Sequence, residues 1–418
     1  MKETSRATAA PTGRMVVDPA KVLPASDLLP WAVTGLPLRP FVGMWAFNPS
    51  IHFDGETWRC ALRCSDYAMP DGVLIRSERA RQGYVQTRNA LATLDPKTWQ
   101  ASNVRQIREL DGVPRQQPCA VTGYEDMRIF STTSGGLQGI AASLQLGGEG
   151  APKHPEQVLL TFDAAGDVVE AAPIRGSWSN QPQKNWAPFD GTEEPRFLYS
   201  IDRGIVFDDR GPFSGWPEPQ APIQAQPKPS SHGGTEVVIR RKTISVPSGK
   251  TSTDRLGYGG LRGGSQLVRA GEGAWLGIGH GMRFIEGRKF YYHAFFTCDD
   301  RGVVLARSAP MKLAAEGIEF AAGLAIDGDR LVVSFGVDDM HCRIGVTSLA
   351  AVRETLVMEG LETQEPSKAP APAAQASRVV AVRPSAWRPL TNAEVDTSGL
   401  MELRRAYIAL RDRKEGPP

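Results

Sequence analysis

The chain lacks what several classes of protein require. It has no run of about 18 apolar residues, which excludes an ordinary membrane-spanning helix. It has no block rich in lysine and arginine, and 48 basic against 46 acidic residues leave a formal charge of +2. A nucleic-acid partner held by phosphate contacts is therefore not expected. Cysteine is sparse and scattered, at Cys60, Cys64, Cys119, Cys298 and Cys342. Cys60 and Cys64 could open a zinc site, but no second close pair follows them. They read as buried thiols of a reducing compartment, with no metal. The 6 histidines show no ligand spacing. Residues 1–14 are polar and no apolar segment follows Arg14, so no secretory leader is expected and the location reads as cytoplasmic. A Walker phosphate loop and a nucleophile-elbow frame are also missing, and no cofactor is expected.

Turn formers are abundant instead, with 43 glycines and 32 prolines. They punctuate many short elements rather than a few long helices. Runs such as SIHFDGETWRCALR, EQVLLTFDAAGDVVEA, KFYYHAFFTCDDRGVV and DRLVVSFGVDDMHCRIGVTSL are β-branched, aromatic and leucine-rich, bounded by Gly, Asp or Asn. They read as strands, with Asp54-Gly55 and Asp327-Gly328 supplying hairpin turns. Helical periodicity is absent from 41 to 355, which predicts an all-β sandwich, barrel or propeller. Residues 1–30 form a polar lead and 31–355 the strand-rich body. A Pro-rich insert spans 208–256, too proline-dense for an interior strand. Residues 356–390 have the Ala/Pro composition of a linker. Within 391–418, Leu400, Leu403, Ala406, Tyr407 and Leu410 recur at helical steps. That is an amphipathic helical extension, free to dock on the body or to join copies into an oligomer.

Short polar segments interrupt the apolar strands: Phe47-Asn48-Pro49-Ser50, Tyr124-Glu125-Asp126-Met127-Arg128, Lys184-Asn185-Trp186, Arg262-Gly263-Gly264-Ser265, Gly279-His280-Gly281 with Tyr292-His293, and Gly336-Val337-Asp338-Asp339. Asn, Asp and Glu can pair with sugar hydroxyls in a fixed pattern. Trp45, Trp186 and Trp275 offer flat faces for a pyranose ring. Arg128, Lys184, Arg262, His280 and His293 suit a phosphate. Each segment alone has a plainer reading: Asn48 as a turn residue, Glu125-Asp126-Arg128 as a structural ion-pair knot, and His280 as a satisfied strand histidine.

Taken in order, FNPSI, EDMRI, KNWAPF with LYSID, RGGSQL, GHGM and FGVDD resemble glycoside hydrolase family 130, the β-mannoside phosphorylases and hydrolases, and the related β-1,2-mannosyltransferases. The resemblance covers roughly 41–350. It implies a five-bladed β-propeller with its site in the central funnel, a sugar or glycan substrate, and phosphate or a sugar nucleotide as co-substrate. It implies that Asn48 and Asp339 hold the sugar, that Asp126 is catalytic, that Arg128 contacts the sugar and the phosphate side, and that Lys184 and His280 hold phosphate. By residue type, Glu125 and Trp186 would join the sugar site, and Arg262 and His293 the phosphate site.

One departure bears on mechanism. The family's acid is expected after the Glu-Asp-x-Arg segment, yet residues 139–146 read GIAASLQL and carry no carboxylate. Asp66 or Asp71, in CSDYAMPDG, are the substitutes the sequence offers. A donor with a good leaving group lessens the need for an acid. The expected function is therefore glycosyl, mannosyl-like transfer involving phosphate or a phosphorylated donor. The alternatives are a sugar-binding propeller without turnover and, last, an interaction scaffold.

Overall fold

The computed structural model describes residues 17, 21–81, 85–109, 121–134, 136–144, 155–174, 184–201, 205–208, 211–212, 261–285, 288–314 and 317–358. All of them lie in one compact unit, Met1–Leu361; a second unit, Glu362–Pro418, is outside the described residues. The expected linker and C-terminal helix fall almost wholly outside them, as does most of the Pro-rich insert.

The described chain is mostly β and forms five sheets of four or more strands, taken up in turn along the sequence. Sheet I runs Trp45–Phe53, Trp58–Ser65, Val85–Leu94 and Ala101–Gln106, and sheet II runs Glu125–Thr132, Gly136–Ser143, Glu156–Phe162 and Val168–Pro173. Sheet III holds Ala187–Pro188, Phe197–Ser200, Ile205–Asp208 and Gly211–Pro212. In sheet IV, Arg262–Gly263 and Val268–Arg269 both pair with Trp275–Ile285, which pairs with Arg288–Cys298. Sheet V holds Glu319–Asp327, Arg330–Val337 and His341–Ser348, and its outer strand is Ala32–Leu36 from the other end of the unit. That strand ties the start of the body to its finish.

Five apolar clusters lie one between each successive pair of sheets. Ala61, Ile129 and Leu160 pack between I and II, and Phe130, Trp186 and Phe197 between II and III. Phe189, Leu198 and Trp275 pack between III and IV, and Ile278, Phe295, Leu324 and Val333 between IV and V. Val332 and Ile344 meet Ile51, Trp58 and Leu62 between V and I, so the series closes on itself. With both faces covered, a strand such as Trp45–Phe53 is buried along almost its whole length. This is why its sequence does not alternate cleanly. Bulk apolar burial of this kind supplies most of the folding free energy, at roughly 25 cal/mol per Å².

The first strands of sheets I, II, IV and V are cross-linked by polar side chains. Ile129 N donates to Ser50 Oγ at 3.0 Å, Gln266 Nε2 to Ile51 O at 2.5 Å, and Leu324 N to Gln266 Oε1 at 3.2 Å. At Gly323 an added Cβ would lie 2.4 Å from Ile51 N, so only glycine lets the strands of sheets V and I approach this closely.

Three expectations change. The 1–30 lead is not merely a polar tail, because Leu23–Pro24 adds a parallel strand beside Met311–Lys312. Two short helices, Glu78–Arg81 and Leu349–Thr355, interrupt the body; the second is capped by Ser348 Oγ, which accepts from Ala351 N at 3.0 Å. Within the 208–256 insert, Gly211–Pro212 still completes sheet III. Cys60, Cys64, Cys298 and Cys342 are free and buried, and burial pushes the Cys64 and Cys298 thiols up to about 12. Among the described residues no helix is long and apolar enough to cross a membrane.

Candidate active site

A cavity of about 400 Å³ opens where these first strands meet. Its lining brings together Asn48, Glu125, Asp126, Lys184, Arg262, His280 and Asp339 from six separate stretches of sequence. Four lining residues hold the left-handed backbone that side chains avoid: Asn48 at φ 48°, Asp126 at 49°, Asn185 at 64° and Asp339 at 49°. At Asn48 and Asp126 the strand pairing slips, between Phe47 and Ser50 and between Glu125 and Arg128. Such bulges re-aim side chains, and their strain is characteristic of sites where a side chain must point a particular way.

The acidic wall is organised by Arg63, which is 4% exposed. Its Nη2 donates to Glu125 Oε1 at 2.5 Å and to Tyr67 Oη at 2.9 Å, while Nη1 donates to Asp126 Oδ1 at 2.8 Å. Asn48 Nδ2 donates to the same Asp126 oxygen at 2.8 Å, and Lys184 Nζ donates to Glu125 Oε2 at 2.6 Å. Burial alone would raise Glu125 and Asp126. The Arg63 and Lys184 charges overcome it and hold both carboxyls below their ordinary range. Gly336 makes room for Asn48, since a Cβ there would lie 2.1 Å from Asn48 Oδ1.

The opposite wall is basic and aromatic. Arg262 and His280 are direct partners across sheet IV, and Lys289, Tyr291 and Phe320 complete this side. The His280 ring lies 4.8 Å from Phe320 and 6.0 Å from Tyr291, centre to centre. Burial, reinforced by Arg262 and Arg128, depresses its pKa to about 3, so it meets a ligand as a neutral imidazole. Asp339 behaves unlike the other two carboxyls: burial, with Asp126 and Glu125 nearby, lifts it to about 6 against the opposing pull of Arg63 and Lys289.

Five sequence candidates lie elsewhere. Arg128 is buried beneath the cavity, where Nε donates to Gly264 O at 2.8 Å, Nη1 to Asp126 O at 2.5 Å and Nη2 to Asn185 Oδ1 at 2.9 Å. It sets the floor instead of lining it. Trp186 packs in the core against Phe197 and Tyr199, and Trp275 is equally buried, so neither presents a face to the cavity. His293 is fully buried one strand behind His280, and its Nε2 accepts from Ala321 N at 3.2 Å. Asp66 is a structural bracket: Oδ1 accepts from Gln86 N at 2.9 Å and Oδ2 from Ser77 Oγ at 3.0 Å. Arg63, Tyr67, Lys289, Tyr291 and Phe320 escaped sequence reasoning. Of these only Arg63 left a signal, as a cation inside the apolar strand WRCALRCS.

No protein-family model and no curated protein matches the chain. Solved structures do. A β-1,2-mannobiose phosphorylase from Listeria innocua is 15% identical with a TM-score of 0.44, covering 77% of this chain and 96% of that one. The mannose phosphorylase MPT-4 of Leishmania mexicana, in complex with phosphate, is 11% identical with a TM-score of 0.41, covering 78% and 90%. The GDP-Man-dependent mannosyltransferase MPT-1 of Leishmania mexicana is 9% identical with a TM-score of 0.41, covering 76% and 89%. These are proteins of the kinds that the ordered motifs of the sequence resemble.

Proposed function

We propose that residues 31–355 form a five-bladed β-propeller and that its central cavity transfers a glycosyl, mannose-like unit between phosphate and an acceptor hydroxyl. Five consecutive sheets, five inter-sheet cores and the Ala32–Leu36 closing strand support the propeller. The observation that carries the function is the meeting of two chemistries in one cavity. Asn48, Glu125, Asp126 and Asp339 offer the acceptors and the amide donor that a polyol needs. Lys184, Arg262 and Lys289 offer the positive charge that a phosphate needs. A structural ion-pair knot alone needs no cavity on its flank. The sugar is called mannose-like on the ordered motif resemblance.

The chemistry follows from the ionisation states. Asp126 is fixed as an anion by Arg63 and Asn48, so it suits hydroxyl binding and stabilisation of positive charge at the anomeric carbon. The basic wall balances a phosphate as it enters or departs. Incubation of the full chain with mannobiose and inorganic phosphate, followed by phosphorus NMR, tests the reading. Appearance of a mannose 1-phosphate resonance is expected. Calorimetry showing no binding of mannose, mannose 1-phosphate or GDP-mannose overturns it. Binding without turnover would favour a sugar-binding propeller, a reading that the carboxylate-free stretch 139–144 supports.

A further inference from the structure

We infer that the acceptor side of the cavity is built for an alcohol with an apolar body, an alkyl or aryl group in preference to a second sugar, an assignment that rests on the transfer reading above. Besides its polar groups the cavity is lined by Met69, Met282, Tyr291, Ile318 and Phe320. Short contacts join these side chains into one arc. Met69 N donates to Asp338 O at 2.7 Å and Ile318 N to Asp338 Oδ1 at 2.8 Å, so both residues flank one turn. Ile318 and Phe320 stand on either side of Glu319, and strand alternation aims both at the cavity. The Phe320 ring meets the His280 ring, which stacks on Tyr291. Tyr291 is the direct cross-strand partner of Met282.

Of these side chains only Tyr291 carries a hydroxyl, and none carries an amide or a charge. A pyranose acceptor brings a hydroxyl on most of its ring carbons, and each one buried without a partner weakens binding. An alkyl or aryl body needs no such partners. The two methionines add an adaptable, polarisable surface that suits apolar groups of varied shape. The Arg128 guanidinium lies 5.1 Å from the centre of the Phe320 ring, so this part of the arc is held in place before any ligand arrives.

The arc continues outward on a segment that the five large sheets do not use. Tyr67–Ala68 pairs with Ile75–Arg76 in a two-stranded hairpin of its own. This is the CSDYAMPDG stretch, and Asp66 is its root: besides the two side-chain bonds given above, Asp66 O accepts from Ser77 N at 2.8 Å. A single helical turn, Pro70–Gly72, follows Met69 and is closed by Val73 N donating to Pro70 O at 2.9 Å. Beyond it Val73 and Leu74 are 37% and 44% exposed. The hairpin is clamped at its root by Asp66 and at Met69 by the sheet V turn, and its tip leaves apolar side chains uncovered next to a residue of the cavity wall. Apolar surface continuous with a cavity marks a place where a ligand is covered.

In phosphorolysis of such a glycoside, a hydrogenphosphate oxygen forms the bond to the anomeric carbon and the glycosidic C–O bond breaks. The departing oxygen ends with the proton that phosphate brought, so the products are the glycosyl phosphate dianion and a free apolar alcohol. Synthesis runs the same exchange in reverse.

Calorimetry on the full chain with methyl, hexyl and octyl β-mannosides and with mannobiose, each below its micelle-forming concentration, tests the assignment. A fully buried methylene strengthens binding about fourfold. Hexyl β-mannoside should therefore bind about 10-fold or more tightly than methyl β-mannoside, and more tightly than mannobiose. With phosphate it should yield mannose 1-phosphate by phosphorus NMR. Met282→Gln keeps the side-chain length and adds a polar end at a half-buried position, so folding should be retained, and circular dichroism checks it. The hexyl-to-methyl affinity ratio should then fall about threefold or more. Leu74→Asp, at an exposed position, should lower the octyl-to-hexyl ratio. Equal affinities for methyl and hexyl mannoside in wild type, tighter binding of mannobiose than of hexyl mannoside, or a hexyl-to-methyl ratio untouched by Met282→Gln each overturn the assignment. An octyl-to-hexyl ratio untouched by Leu74→Asp removes the hairpin tip from it. A wild type that binds mannobiose and mannose 1-phosphate but gains nothing from the hexyl chain loses the apolar acceptor and keeps the transfer reading. A wild type that binds none of these ligands removes the transfer reading itself.

Discussion

Two buried clusters in this molecule use the same kinds of side chain to different ends. Around Glu319 everything is sealed. Its oxygens accept from the main-chain N–H groups of Leu313 and Ala314 at 2.7 and 2.8 Å, with Lys312 Nζ 3.8 Å and His293 Nδ1 3.9 Å away. Around Asp126 the partners are other side chains, the backbone is left-handed, and one flank is open to a cavity. The sealed cluster spends its charge on satisfying backbone that would otherwise lie unpaired. The difference teaches that burial and ionic pairing do not distinguish a site from a strut. What distinguishes them is whether the partners are backbone groups and whether space remains beside them.

The largest expected effect tests whether the open cluster is also a strut. Arg63→Met leaves the buried Glu125 and the half-buried Asp126 without their shared cation. Breaking a buried pair in this way costs about 3–5 kcal/mol. Urea denaturation at neutral pH should show that loss, and a loss under about 1 kcal/mol would mean the cluster contributes little to folding. Asp339→Asn should act in the opposite sense. The folded-state pKa of Asp339 is about 6, above its unfolded value, so the folded state binds a proton that the unfolded chain releases. Stability from this group is present below pH ~4 and is lost as pH rises through about 6. The Asn variant should therefore be about 3 kcal/mol more stable than wild type at pH 8, at ~1.4 kcal/mol per pKa unit, and about equal to it at pH 4. Glu125 and Asp126 are depressed instead, so their contribution is present above the ordinary carboxylate range and fails only on further acidification.

The polar interruptions at Asn48 and Asp126 were legible in the sequence because a polar residue inside an apolar strand has few structural uses; Asp339 stood out in the same series, although it sits in the turn between two strands. Fold class was legible from turn density and strand runs. The faces were not. Simple alternation puts Glu125 and Asp126 on opposite sides of a strand, but the bulge at Asp126 turns both toward the cavity. Alternation misleads again at Lys184-Asn185-Trp186, where the first two residues line the cavity and the tryptophan enters the core. His280 and His293 are direct partners across two strands, so their side chains share a face. One strand spacing, about 4.8 Å, separates a cavity wall from a buried strut, and no sequence pattern carries that distance. Arg63 was overlooked because its strand also carries Arg59, an outward-facing cation paired with Asp54, and the sequence does not say which of the two arginines faces the cavity.

Two smaller effects sharpen the contrast. Glu319→Gln replaces one acceptor oxygen with an amide donor against the Leu313 and Ala314 N–H groups. An unsatisfied buried group of this kind costs about 1–3 kcal/mol, and mannose 1-phosphate affinity should stay at the wild-type value in calorimetry. A loss of affinity there would join the two clusters functionally and erase the distinction drawn between them. Lys289→Ala should do the reverse. Lys289 lines the cavity, is exposed, and makes no hydrogen bond or ion pair with a described residue. Removing an exposed, unbonded charge should change stability by less than about 0.5 kcal/mol. Its field still reaches Asp339, so a phosphate in the cavity should bind more weakly without it. Because the lysine is solvent-exposed, that deficit should shrink as salt is raised and screening takes over. Calorimetry with mannose 1-phosphate at low and high ionic strength measures it. An unchanged affinity at low salt would restrict the phosphate wall to Lys184, Arg262 and the neutral His280.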